Sequence, residues 1–291
     1  FITLKDPIVR VLKLLRGEID LIRGNLPPEI VSWLAEKDSI KVKKKKGSTF
    51  TYLGFNMEDP LTGNYYIRSA IAHAIDRKSI IRHVMGKSAR QAEALLPPEH
   101  WAGNSDLVSL DYNPDKSRRL LAQAGYNDSS PLRIIYKISN DPFRLRLATI
   151  IQSQLKSVGI EVEIRSYDWG TFYGDIKEGR FQMYSLSWVG LKIPDIFYYI
   201  FHSKSIPPHG ANRGRLNDYN VDLILELAKF EASLDKQALY YKDLQKYLLD
   251  ILPYIPLWYE DNILVSKSDI KGYKLNTDGN FDSLRYVTKN N

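Results

Sequence analysis

A chain of 291 residues with 44% hydrophobic side chains holds enough apolar material for one large or two ordinary domains, and too much to stay disordered throughout. The absence of cysteine excludes disulfides and thiolate metal sites and marks neither an oxidising nor a reducing compartment. The 41 basic and 34 acidic residues leave a formal charge of +7, and the longest apolar runs are too short or too rich in proline to span a bilayer.

Asp6 and Pro7 predict the start of a helix that runs to Leu15, with Gly17 just beyond it and a short strand at EIDLI. NLPPEIVSWLAEKD restarts a helix. KVKKKKGSTFTYLGFN, from Lys41 to Asn56, predicts two extended segments around Gly47 and Ser48. Ile40 and Val42 alternate with lysines, as in an edge strand whose charged face resists aggregation. No reading motif accompanies the lysines, so a nucleic-acid partner is not expected.

The turn-rich stretch Met57 to Tyr66 is the expected crossing between two bodies. Ile67, Ala70, Ile71, Ala74 and Ile75 recur at helical spacing, and Asp76 caps a second helix carrying Ile80, Ile81 and Val84. After a loop from Pro97 to Asn113, NPDKSRRLLAQAGY gives a complete local helix signal: Asn113 caps, Pro114 sits in the first turn, and Gly125 takes the left-handed conformation at the end. Leu132, Ile134, Tyr136 and Ile138 then alternate on one face of a strand. A helical stripe from Phe143 to Val158 ends at Gly159, and IEVEIRSY alternates again, which makes a β-α-β unit with parallel strands. DWGTFYGDIKEG predicts a short helix and FQMYSLSW a strand, and two more helices cover about Asn220 to Phe230 and Lys236 to Asp250. Short strands and turns are expected around PYIPLWYEDNILVS.

The chemistry legible in these residues is sparse. His73 lies at the polar margin of a helix and reads as structural. His202 and His209 flank SKSIPP without a third-ligand pattern, and Pro207-Pro208 shapes a loop there, so no metal site is expected. Ser187 in LSWVG lacks the spacing of a nucleophile elbow, and the glycines form neither a P-loop nor a dinucleotide fingerprint. The expectation is therefore a protein that is not an enzyme and needs no cofactor. The 19 tyrosines and 5 tryptophans exceed the needs of a core and point to recognition surfaces.

Taken in chain order, LLRGEIDLIRGNLPPE, YLGFN, IRSAIAHAIDRKSIIRHVMGKSA, YNPDKSRRLLAQAGY, LSWVGLKIPDIFYYIF, NRGRLNDYNVDLILELA and LQKYLLDILPYIPLWYE resemble the extracellular solute-binding proteins of family 5, the peptide and nickel receptors of ABC importers. The resemblance implies an α/β fold, a periplasmic-binding-protein-like two-lobed clamp, present here as a fragment with one nearly complete lobe and part of the other. Residues 1–56 and 255–291 would belong to the partial first lobe and 60–254 to the second. Capture of oligopeptides and delivery to the membrane permease subunits of an ABC importer is the implied function. A receptor for nickel or another metal chelate is the alternative, with a peptide-processing enzyme or a regulator on a related fold behind it. A monomer is expected, periplasmic or membrane-tethered outside the cell, and its partial clamp should hold cargo less tightly than a whole one.

Family members carry a tryptophan after the strand matched by FQMYSLSW, and an acidic, proline-containing loop beside the ligand. Trp188, Pro194 and Asp195 resemble that pattern, but Leu191, Lys192 and Ile193 fill the intervening places, so the aspartate that pairs with a peptide amine is not assigned. The candidate ligand residues are Trp188, Asp195, Asn212, Arg213, Tyr52 and Asn56. Trp188 offers a flat contact. Asn212 and Arg213 in GANRGRLND suit backbone carbonyls or a carboxylate. Tyr52 and Asn56 sit near the expected hinge and shape the crossing.

Overall fold

The computed structural model describes residues 2–4, 6–24, 26–127 and 129–290. Two compact units form, one from Phe1–Thr49, Lys78–Arg90 and Tyr259–Asn291, the other from Phe50–Arg77 and Gln91–Trp258. The chain passes between them inside two long strands and around the excursion 78–90, for which the sequence division has no counterpart.

The Asp6 carboxylate accepts from the N–H groups of Ile8 and Val9 at 2.7 and 2.9 Å and opens helix α1 (Pro7–Leu15). Strand β1 (Leu21–Arg23) pairs antiparallel with residues 264–266, and helix α2 (Pro28–Ala35) follows. Val11, Leu14, Ile22, Val31, Leu34, Ile40, Ile263 and Val265 make the core of the first unit. Strand β2 (Ile40–Phe55) is one continuous strand of 16 residues rather than two segments. Gly47 makes no turn: the backbone carbonyl of Glu260 lies 2.2 Å from where a Cβ would stand, so glycine is required for close approach. Lys43 to Lys46 are exposed on both faces of the strand.

Asn64 caps α3 (Tyr65–Ala74), and α4 (Arg77–His83) and the short strand β3 (Ala89–Gln91) follow. Helix α5 (Pro114–Gln123) has the predicted ends, with Asn113 accepting from the Lys116 N–H at 2.9 Å and Gly125 at φ +90°. Strand β4 (Leu132–Ser139), helix α6 (Pro142–Lys156) and strand β5 (Ile160–Tyr167) form the β-α-β unit, in parallel register from Leu132 opposite Ile160 to Ser139 opposite Tyr167. Leu132, Ile134, Tyr136 and Ile138 are buried beside the α6 stripe of Leu147, Ile151 and Leu155, which is why the alternation and the helical period were both readable.

Helix α7 (Trp169–Lys177) leads to strand β6 (Met183–Trp188), which runs parallel to β4 and antiparallel to Phe50–Phe55 of β2. Helices α8 (Ile196–Phe201), α9 (Tyr219–Phe230) and α10 (Leu234–Ile251) complete the second unit. Where short strands were expected near the end, a single strand β7 (Tyr254–Lys267) of 14 residues runs through, and the pair β8 (Ile270–Lys271) and β9 (Thr288–Lys289) closes the chain.

Two buried arginines brace the second unit. Arg68 donates to the carbonyls of Thr62, Gly63, Ile251 and Leu252, and burial lowers its pKa to about 10. Arg77 donates to the carbonyls of Ala92, Leu110 and Pro256 and pairs with Glu93 at 3.2 Å. His73 is buried with Nδ1 2.7 Å from the Asp111 carbonyl oxygen, and burial lowers its pKa.

Candidate functional site

The period of two in an antiparallel pair decides which side chains meet at the end of β6. Trp188 stands opposite Phe50, Leu186 opposite Tyr52 and Tyr184 opposite Gly54, all on one face. A Cβ on Gly54 would lie 2.5 Å from the Tyr184 ring, so the absent side chain is what lets that ring lie across β2. Tyr52 is fully buried, stacks on Tyr254 with centroids 4.0 Å apart and meets Tyr184 edge-on at 5.8 Å. Helix α7 supplies Tyr173, itself stacked on Trp169 at 5.4 Å.

Arg213 enters this group from the loop after α8, and its neighbours hold it in place. The Asn212 amide donates to the carbonyls of Leu216 and His202 at 2.7 and 3.1 Å and accepts from the Leu216 N–H at 2.9 Å. The Gly214 carbonyl accepts from the Met57 N–H at 2.8 Å, and a Cβ there would lie 2.7 Å from the Phe55 carbonyl oxygen. With both neighbours anchored, the Arg213 side chain has little freedom left to lose on binding.

Arg213 is only 9% exposed. Its Nη2 donates to the Tyr173 hydroxyl at 3.1 Å and its Nη1 to the Tyr52 hydroxyl at 3.4 Å. Its carbon lies 4.5 Å from the centre of a Trp188 ring and 5.4 Å from that of Tyr173, in cation–π range of both. Among the described residues no carboxylate pairs with it. Burial opposes its charge, and the phenol oxygens of Tyr52 and Tyr173 that accept from it offset that in part. Burial pushes the Tyr184 and Tyr254 phenols well above their ordinary range, so they stay neutral. Trp188 Nε1 and the Tyr254 hydroxyl are buried without a hydrogen-bond partner among the described residues. Such orphaned groups are uncommon in a finished core. The arrangement is a charge-bearing aromatic cage, with the chemistry to attract an anion and to stack a flat group.

Of the residues predicted from sequence, Trp188, Arg213 and Tyr52 meet here. Asn212 does not face this cage with a free amide, because the loop backbone uses it. Asn56 is likewise spent, donating to the Gly179 carbonyl at 3.0 Å and accepting from the Glu58 N–H at 3.0 Å. Asp195 is exposed at the start of α8 without capping it and lies by Tyr241, whose phenol burial and then Asp195 push up to about 12. Leu191 is buried, and Lys192 and Ile193 are exposed. Tyr173, Tyr184 and Tyr254 were not singled out. The tyrosine count was the available signal, and it carries no position. His202 is buried between Glu226 and Asp222, and no group of three His, Cys, Asp or Glu suited to a metal occurs among the described residues.

The fold is the mixed α/β fold of two-lobed periplasmic binding proteins. The model of the bacterial extracellular solute-binding proteins, family 5 middle region, matches residues 1–206, and the chain belongs to that family. Heme-binding protein A of Haemophilus influenzae is 28% identical over 276 residues, 92% of this chain and 49% of that protein. The dipeptide-binding protein of Escherichia coli is 25% identical over 272 residues, 92% of this chain and 51% of that protein. Among solved structures, the ABC transporter-associated periplasmic binding protein DppA from Helicobacter pylori, in complex with peptide STSA, matches with a TM-score of 0.87 at 27% identity, covering 99% of this chain and 56% of that one. The chain spans about half the length of these curated relatives. Among the described residues no helix is long and apolar enough to cross a membrane.

Proposed function

We propose that the protein captures oligopeptides outside the cytoplasm, in the periplasm or tethered to a membrane, and hands them to the permease of an ABC importer. The observation that carries this is Arg213, buried and without a counter-charge, beside the half-buried Trp188 at the end of β6 in a chain of this family. Backbone hydrogen bonds and water-filled side-chain pockets grip an extended peptide of variable sequence. The indole and the guanidinium supply one wall of that grip. Ligand contacts with a second wall of the whole receptor favour its closed state, which is the signal a permease reads.

On this reading the two compact units are portions of the two lobes, and the protein works as a monomer without a cofactor, a covalent step or nucleic acid. Isothermal titration of the 291-residue chain with millimolar mixed tri- and tetrapeptides tests it. Saturable heat that is reduced at least tenfold in Trp188→Ala is expected. Absence of heat from every peptide would sink the proposal.

A further inference from the structure

The three buried arginines of the second unit differ in what satisfies them. Arg68 is saturated by four backbone carbonyls, and Arg77 by three carbonyls and the Glu93 carboxylate. Among the described residues Arg213 hydrogen-bonds only to two phenol oxygens and pairs with no carboxylate. A guanidinium offers five N–H donors in one plane. Two are used, the Trp188 ring centre lies 4.5 Å from its carbon, and three donors remain without a hydrogen bond among the described residues. A planar fork with free edge donors is the geometry that receives a carboxylate through two parallel hydrogen bonds.

A buried charge without a partner is costly, and a ligand bringing the opposite charge removes that cost on binding. The orphaned indole N–H of Trp188 adds a neutral donor beside the cation. Among the described residues of this chain no acid contacts the Arg213 guanidinium: Asp195 lies by Tyr241, and Asp175 is bound by Lys137 at 2.6 Å and by Arg180 at 2.8 Å. Leu191 is apolar and buried.

We infer that the Arg213 cage selects cargo by a free carboxylate and makes no demand for a free amino terminus. This rests on the receptor reading of the same site and adds which end of the cargo is read. It sets peptides with blocked amino termini among the substrates and peptides with amidated carboxyl ends outside them.

The test titrates the full chain, and its Arg213→Met variant, with one pool of tri- and tetrapeptides prepared as free acids, as carboxyl-terminal amides and as N-acetyl free acids. The nickel complex of L-histidine, a carboxylate of non-peptide origin, is a fourth arm. Expected are equal affinities within about twofold for the acid and N-acetyl pools, at least tenfold weaker binding of the amide pool, and loss of the acid-over-amide preference in Arg213→Met. Equal binding of acid and amide pools overturns the inference and leaves the receptor reading standing. So does a preference that survives in Arg213→Met, or loss of the N-acetyl pool with the amide pool retained. Binding of nickel–histidine alone, abolished in Arg213→Met, supports the carboxylate site and overturns the peptide reading. No binding in any arm overturns both. Circular dichroism of Arg213→Met confirms that its losses come from a folded chain.

Discussion

Replacing Arg213 with methionine separates a ligand-directed cation from a structural one. The change removes two hydrogen bonds from a charged donor, roughly 1.5–3 kcal/mol each, and cation–π contact of roughly 0.5–2 kcal/mol. It also removes a desolvation penalty of several kcal/mol that no carboxylate offsets. The Tyr52 hydroxyl keeps a neighbour in Tyr184 at 3.5 Å, and the half-buried Tyr173 hydroxyl turns to water. These terms oppose each other and are similar in size, so Arg213→Met should change stability by no more than about 1 kcal/mol. Arg77→Met is the control in the same unit, since it strands Glu93 and three buried carbonyls, and should cost about 3–5 kcal/mol. Urea denaturation followed by far-UV circular dichroism compares the midpoints at equal slope. If Arg213→Met costs as much as Arg77→Met, the guanidinium is a brace and the reasoning about its missing counter-charge fails.

Gly47→Ala should destabilise the first unit by roughly 1–3 kcal/mol, because the new methyl group meets the Glu260 carbonyl oxygen. Faster amide exchange in residues 40–49 with the β4–α6–β5 amides unchanged is the expected readout. Alkaline titration probes the buried phenols. Burial raises the Tyr136 pKa from 10.0 to about 12, and it raises those of Tyr184 and Tyr254 well above their ordinary value. The unfolded chain thus loses these protons first, and the stability they contribute is present below pH 10 and lost as pH rises above it. Tyr136 alone should account for about 2–3 kcal/mol between pH 10 and 12. Phenolate absorbance should show exposed tyrosines titrating before unfolding and the buried ones only with it; a smooth titration of all tyrosines in a folded chain contradicts this.

What the sequence disclosed was local. The ends of α5 are set by Asn113 and Gly125 alone, and the β4–α6–β5 unit by periods of two and 3.6 within single segments. Gly47 shows the limit, because its reason for being glycine is the Glu260 carbonyl, more than two hundred positions away. Short strands and turns were expected around PYIPLWYEDNILVS, whereas β7 continues through Pro256 and uses its carbonyl to receive Arg77. In the site, Asn212 and Arg213 are adjacent and looked alike as polar ligand groups. Tertiary packing parts them: the amide closes its own loop and the guanidinium enters the cage. The tyrosines around it come from β2, α7, β6 and β7, and no spacing rule relates those four positions.

The core of the first unit has a consequence in time. Val11, Leu14, Val31 and Leu34 pack with Ile263 and Val265, so the early helices are translated long before their partners exist. At about 5–20 residues per second the wait is on the order of 10–50 s. Through that interval the nascent chain carries an unfinished apolar surface, a natural handle for a chaperone until residues 263–265 are made.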